Sequence, residues 1–152
     1  MNNTPAPGTA SLPFGVEIPF IDLLGIQMNW FEGGESEIAF TPKREHMNSF
    51  EVAHGGVIMT LLDIGMATAA RSIDKSEGVV TIEMKTSFMQ PAKGALITRG
   101  KLLHRTRSTA FVEARVLNAE GLVCAHATGT FRYVPRRPGS DQPAQPAPIA
   151  TD

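Results

Sequence analysis

Between Glu51 and Ser72 the chain reads EVAHGGVIMTLLDIGMATAARS, where Val57, Ile58, Leu61, Leu62 and Ile64 cover most directions once wound at about 3.6 residues per turn. The spacing predicts one long helix over 56–71. A helix apolar nearly all round has to be enclosed by the rest of the fold. Beyond it the period drops to two. Val80, Ile82, Met84, Thr86 and Phe88 alternate with Thr81, Glu83 and Lys85, which predicts a strand with the first set on one face and Thr81 on the other. The turn PAKG leads to a strand over 95–104. Phe111, Glu113 and Arg115 alternate with Ala110, Val112, Ala114 and Val116 in a strand over 108–118, and the tight turn NAEG leads to a last strand over 121–134. Upstream, IPFIDLLG suits one or two helical turns, strands come next over 27–31 and 35–41, and 47–53 is a loop. The expectation is an α+β fold, a single antiparallel sheet wrapped around one long central helix, with other surfaces left for a partner.

Length and composition narrow this picture. At 152 residues the chain can bury one real core, and we expect a single domain over 14–135. Segments 1–13 and 136–152, rich in Pro, Ala, Gly and polar residues, are expected to be flexible tails. A net charge of −1 implies no general attraction to nucleic acid or an anionic membrane. The total hides an asymmetry, because all 14 Lys and Arg come after residue 42, with Arg99, Lys101, Arg105 and Arg107 close together. The single cysteine, Cys124, excludes a disulfide within the chain and suits a reducing compartment; in its strand-like run it reads as an inert core thiol. No apolar segment approaches the roughly 18 residues of a membrane helix, and no basic-then-apolar leader opens the chain. A cytoplasmic location is expected.

Asp63 is the one carboxylate inside the long helix, and no Lys or Arg lies between Val57 and Ala70 to pair with it. A desolvated carboxylate without a partner has its pKa raised. Two plainer alternatives are a solvent-exposed stripe and an arginine supplied by a distant strand. The HGG that opens the helix (His54, Gly55, Gly56) would leave bare backbone N–H groups with the helix dipole behind them, as a developing oxyanion requires. Alternatively, the glycines merely permit a sharp turn into the helix and His54 caps it. Gly55 and Asp63 are eight residues apart, about 12 Å along one axis, whereas a base and an oxyanion donor must both lie near one reacting group. If both act, the helix start of one protomer faces the helix middle of its twin, and the small residues Gly65, Ala67, Ala69 and Ala70 suit close pairing of the two helices.

Asn48, HGG at 54–56, Asp63, TIEMKTSFMQPAKG (81–94) and GLVCAHATGTFRYV (121–134) together resemble the hotdog-fold thioesterases, specifically the PaaI-like group, over about 14–134. The resemblance implies that Asp63 attacks the thioester carbonyl or activates water, and that the Gly55 N–H of the opposing subunit polarises that carbonyl. It implies that Asn48 positions the water or the acid, that His54 orients the loop near the thioester, and that Thr81 is the small hydroxyl residue beside the acid. It also implies acyl-coenzyme A substrates, with an aromatic acyl group such as phenylacetyl or a medium chain. No metal and no cofactor beyond the substrate's own coenzyme A is expected, in a homodimer or a dimer of dimers. Family members often carry a glycine and a basic residue where this chain has Arg107 and Ser108; Arg105, Arg107 and Ser108 are therefore candidates for the coenzyme A phosphates. Met59 and Met66 are candidates to line the acyl tail. The competing functions are a non-catalytic acyl-CoA binder and an acyl-thioester dehydratase or hydratase, whose usual helix start has proline-glycine in place of HGG.

Overall fold

The computed structural model describes Phe14 and residues 16–136; the segments expected to be tails lie outside the described residues, except Arg136. A short helix α1 (Pro19–Leu24) ends at Gly25, whose φ of 74° is the left-handed turn that a glycine accepts without strain. Then come β1 (Gln27–Glu32), β2 (Glu35–Phe40), a 3-10 turn (Arg44–His46), α2 (Gly55–Arg71), β3 (Glu77–Phe88), β4 (Leu96–Arg105), β5 (Thr109–Leu117) and β6 (Val123–Pro135). All six strands form one antiparallel sheet in the order β1-β2-β4-β5-β6-β3. This is the hotdog architecture expected from the sequence. The strand that leaves the central helix, β3, crosses to the far edge of the sheet, so one of its sides has no neighbouring strand among the described residues.

Alternation builds the core. On β5, Ala110, Val112, Ala114 and Val116 are buried and their neighbours are not; on β6, Ala125, Ala127 and Phe131 continue the same inner surface. Ile58, Leu61, Leu62 and Met66 of α2 pack onto it. The helix approaches the sheet closely at Gly65: Ser36 Oγ donates to the Gly65 carbonyl at 2.7 Å, and a Cβ on Gly100 of β4 would overlap that same carbonyl. Gly65, Ala69 and Ala70 are therefore small for contact with their own protomer, which corrects the expectation that they line a helix–helix seam; of that set, only Ala67 is partly open.

The face assignment on β3 also needs correction. Thr81 pairs with Phe131, whereas the next pairing is Glu83 with Thr130, so Ile82 is the extra residue of a bulge. Residues directly opposite share a face. Val79 and Thr81, opposite the buried Tyr133 and Phe131, thus point toward the helix. Past the bulge, Met84, Thr86 and Phe88, opposite Gly129, Ala127 and Ala125, point inward too. Val80 and Ile82 take the opposite face, because the inserted residue shifts the phase of the alternation, and Phe88, at the strand end, is itself 56 % exposed.

Candidate functional site

The loop before α2 is built to present the helix start. Asn48 Oδ1 accepts the Phe50 and Val52 N–H groups at 2.9 and 3.3 Å, closing a tight turn with Glu51 at a φ of 57°. Backbone bonds from Ala53 to the Ala92 carbonyl and from His54 to the His46 carbonyl, both 2.9 Å, anchor the entry to the helix. His54 is the N-cap residue. Its Nδ1 accepts the Gly56 N–H at 2.9 Å, and its carbonyl accepts Val57 and Ile58 at 2.9 and 3.1 Å. An accepting Nδ1 assigns the proton of the neutral ring to Nε2. A Cβ on Gly56 would lie 3.2 Å from His54 Nδ1, a tight contact against this cap. The first-turn amides are thereby satisfied with one exception: among the described residues, the Gly55 N–H has no acceptor. Gly55, Asn48, Val52, Ile58 and Phe88 line a cleft of about 420 Å³.

Asp63 lies two turns further along. From Ile58 onward the helix is buried except for a stripe through Met59, Thr60, Asp63 and Ala67, which continues the open first turn of Gly55, Gly56 and Val57. Thr81 Oγ1 donates to Asp63 Oδ1 at 2.6 Å, and no cation pairs with the carboxylate among the described residues. Burial pushes its pKa above the usual carboxylate value, and the Thr81 bond pulls it partly back. Of the two plainer alternatives, no arginine among the described residues pairs with it, and the open stripe is real but leads into a cleft. That cleft, about 640 Å³, is walled by Phe14, Ile18, Phe20, Ile64, Val79 and Val80, and also touches Thr60, Arg71 and Arg136. Met59 is 40 % exposed on the open stripe, whereas Met66 is fully buried in the core and cannot line a tail.

The two clefts share no residue, so Asp63 and the Gly55 N–H serve different openings of the same protomer. Asn48 and His54 are grouped with Gly55, and Thr81 with Asp63. The candidates for phosphate contact are grouped with neither. Arg105 pairs with Glu77 at 3.0 Å and lies over the Tyr133 ring at 4.2 Å; Arg107 and Ser108 are exposed in the β4–β5 turn. Arg99 is paired with Glu37 at 2.9 Å. Cys124 is buried, with its thiol pKa pushed up by burial, as an inert core cysteine should be. Sequence reasoning missed Arg71 and Arg136 as members of the Asp63 cleft. The one signal for Arg71 is a cation closing an otherwise apolar helix.

The hotdog domain thus holds an acid with no cationic partner and a helix-start amide with no acceptor, among the described residues, in two separate clefts. The thioesterase superfamily profile matches residues 50–125. A Saccharolobus solfataricus protein provisionally named an esterase is 31 % identical over 113 residues, covering 74 % of this chain and 79 % of that one. Among solved structures, Pseudomonas aeruginosa protein PA5202 is similar with a TM-score of 0.75 at 24 % identity, covering 79 % of this chain and 97 % of that one. A mutant form of the phenylacetic acid degradation protein PaaI from Thermus thermophilus is similar with a TM-score of 0.69 at 25 % identity, covering 76 % and 98 %. The chain belongs to the thioesterase superfamily. Its likeness to the PaaI-like group, read from HGG and Asp63, agrees with these neighbours.

Proposed function

We propose that the protein is an acyl-CoA thioesterase that hydrolyses an aromatic acyl group, such as phenylacetyl, or a medium-chain acyl group to the free acid and coenzyme A, with each active site shared between two protomers. One observation carries the reading. The helix spends every first-turn amide but Gly55 on its own cap, while its one acid stands unpaired in a separate cleft. In the assembled site the thioester carbonyl oxygen accepts the Gly55 N–H of one protomer, which stabilises the oxyanion as the tetrahedral intermediate forms. The Asp63 carboxylate of the other attacks that carbonyl or takes a proton from the attacking water, and either route begins from the ionised acid. Thr81 holds the carboxylate in place. Asn48 shapes the loop with Oδ1 and offers its amide nitrogen to the water or acid; His54 holds the cap and turns Nε2–H toward the thioester.

The free edge of β3 and the open stripe of α2 support two-fold pairing of protomers, as a dimer or a dimer of dimers. Arg107 and Ser108 are the remaining candidates for the coenzyme A phosphates, with Arg105 reaching them only by leaving Glu77. Location in the cytoplasm is part of this proposal; no helix among the described residues is long and apolar enough to cross a membrane. The test is thiol release from a panel of acyl-CoA thioesters by the wild type, Asp63→Asn and Asp63→Ala. Both variants should lose most turnover while still assembling and binding substrate. Undiminished turnover in Asp63→Asn would eliminate the mechanism, and the absence of turnover across the panel in the wild type would favour a binding protein.

A further inference from the structure

The cleft that opens at Asp63 contains two arginines that the proposed hydrolysis does not use. Arg71, the last residue of α2, is only 6 % exposed, and its Nη1 donates to the Phe14 carbonyl at 2.9 Å. Arg136 comes just after β6 and is half-buried. The Nε of each is buried without an acceptor, and neither guanidinium has an acidic partner among the described residues; Glu17 lines the same cleft and pairs with neither. Burial and the neighbouring Arg136 together lower the Arg71 pKa to about 10. Two like charges in a desolvated cleft are expensive to hold unless an anion joins them.

Geometry says where that anion would sit. Arg71 is eight residues beyond Asp63, about 12 Å along the helix axis. Helical side chains lean toward the N-terminus, which brings the guanidinium nearer to Asp63 than the backbone spacing alone. Ile18, Ile64 and Val79 offer an apolar wall to a chain lying in the cleft. We infer that Arg71 and Arg136 receive a carboxylate at the far end of the acyl group, so that the favoured substrates are ω-carboxyacyl thioesters of medium length. This rests on the thioesterase reading and narrows its substrate class. The apolar wall favours an acyl chain over the coenzyme A phosphates as the occupant.

The experiment compares kcat/KM for matched pairs, adipyl-CoA against hexanoyl-CoA and suberyl-CoA against octanoyl-CoA, in the wild type, Arg136→Gln and Arg136→Lys. Arg136→Gln leaves the Arg71 bond to Phe14 in place. Hydrogen bonds to a charged group support a preference of roughly tenfold or more for the carboxylate-ended member. That ratio should collapse toward unity in Arg136→Gln, chiefly through KM, and recover partly in Arg136→Lys. A merely structural role would lower both members of a pair alike, and an unchanged ratio overturns the inference. The same acyl groups as N-acetylcysteamine thioesters, which carry no phosphate, should keep the preference; if the arginine dependence vanishes with them, the occupant is a phosphate and the inference fails. Calorimetric titration of adipate against hexanoate reads the site without hydrolysis. Arginine-dependent adipate binding with no turnover supports the anion site while sinking the thioesterase reading. Turnover with no preference for adipate overturns the inference alone.

Discussion

Gly55→Pro tests the oxyanion donor with little disturbance to the fold. Proline lacks an N–H, and its ring suits the first position of a helix, which is where Gly55 stands. The residue before a proline must be extended, and His54 already has φ −58° and ψ 141°. A Cβ at position 55 would meet the Phe88 ring at 3.5 Å, an ordinary contact. No intramolecular hydrogen bond among the described residues is lost, because the Gly55 N–H makes none. Stability should therefore hold or rise by up to about 1 kcal/mol, since the unfolded chain loses freedom. Loss of an oxyanion donor, by contrast, costs about 3–4 kcal/mol, or roughly two to three powers of ten in kcat. Gly55→Ala retains the amide and serves as the control. The assay is thiol release under saturating substrate, with Tm and oligomeric state measured on the same preparations. A Gly55→Pro enzyme with wild-type kcat and a normal Tm would refute the role assigned to this amide.

Mixing Asp63→Ala with Gly55→Pro should rescue activity, because a mixed dimer combines one intact acid with one intact amide. Equal mixing with free exchange makes half the dimers mixed, each with one working site of two, so about a quarter of the wild-type sites should return. The acid limb of the kcat/KM profile should lie above the ordinary carboxylate value of 3.8, since burial raises the Asp63 pKa, and Thr81→Val should move the limb higher by removing the bond that favours the charged form. Because the folded pKa exceeds the unfolded one, the stability contributed by Asp63 is present below the unfolded pKa and is lost as pH rises through the folded value. Asp63→Asn should therefore gain in Tm relative to the wild type as pH rises through that range. Gly100→Ala drives a methyl into the Gly65 carbonyl and should cost about 3 kcal/mol or more in urea denaturation; a change under about 1 kcal/mol would mean the helix is free to move away.

Much of the scaffold is legible in the sequence because its signals are local. The periodicity predicts the helix from residue 56 and it begins at Gly55, and the antiparallel strands stand within about three residues of their expected ends. His54, Gly55 and Asp63 stand out for their own chemistry. The features that escape such reading depend on contacts far apart in sequence. The alternation through Val80, Ile82 and Met84 runs on without a break, and only pairing with β6 reveals the bulge that turns Thr81 toward Asp63. Gly65 announces a close approach, but its partner, Gly100, lies on another strand. Arg71 and Arg136 come to share a cleft because the segment from Phe14 folds against the helix end, a contact across 57 residues of chain; by composition alone, Arg136 belongs with the tail.

The bulge at Ile82 imposes a counting rule on β3. Thr81 belongs to the acid's cleft and Phe88 to the amide's, yet they stand an odd number of positions apart, which in a regular strand would place them on opposite sides of the sheet. One surplus residue converts odd to even, so a single strand furnishes both openings. Inserting or deleting one residue between them would sever that link unless the surplus moved or vanished with it, whereas changes in pairs would preserve it. Parity, more than the identity of any side chain in between, is what this strand must keep as its sequence drifts.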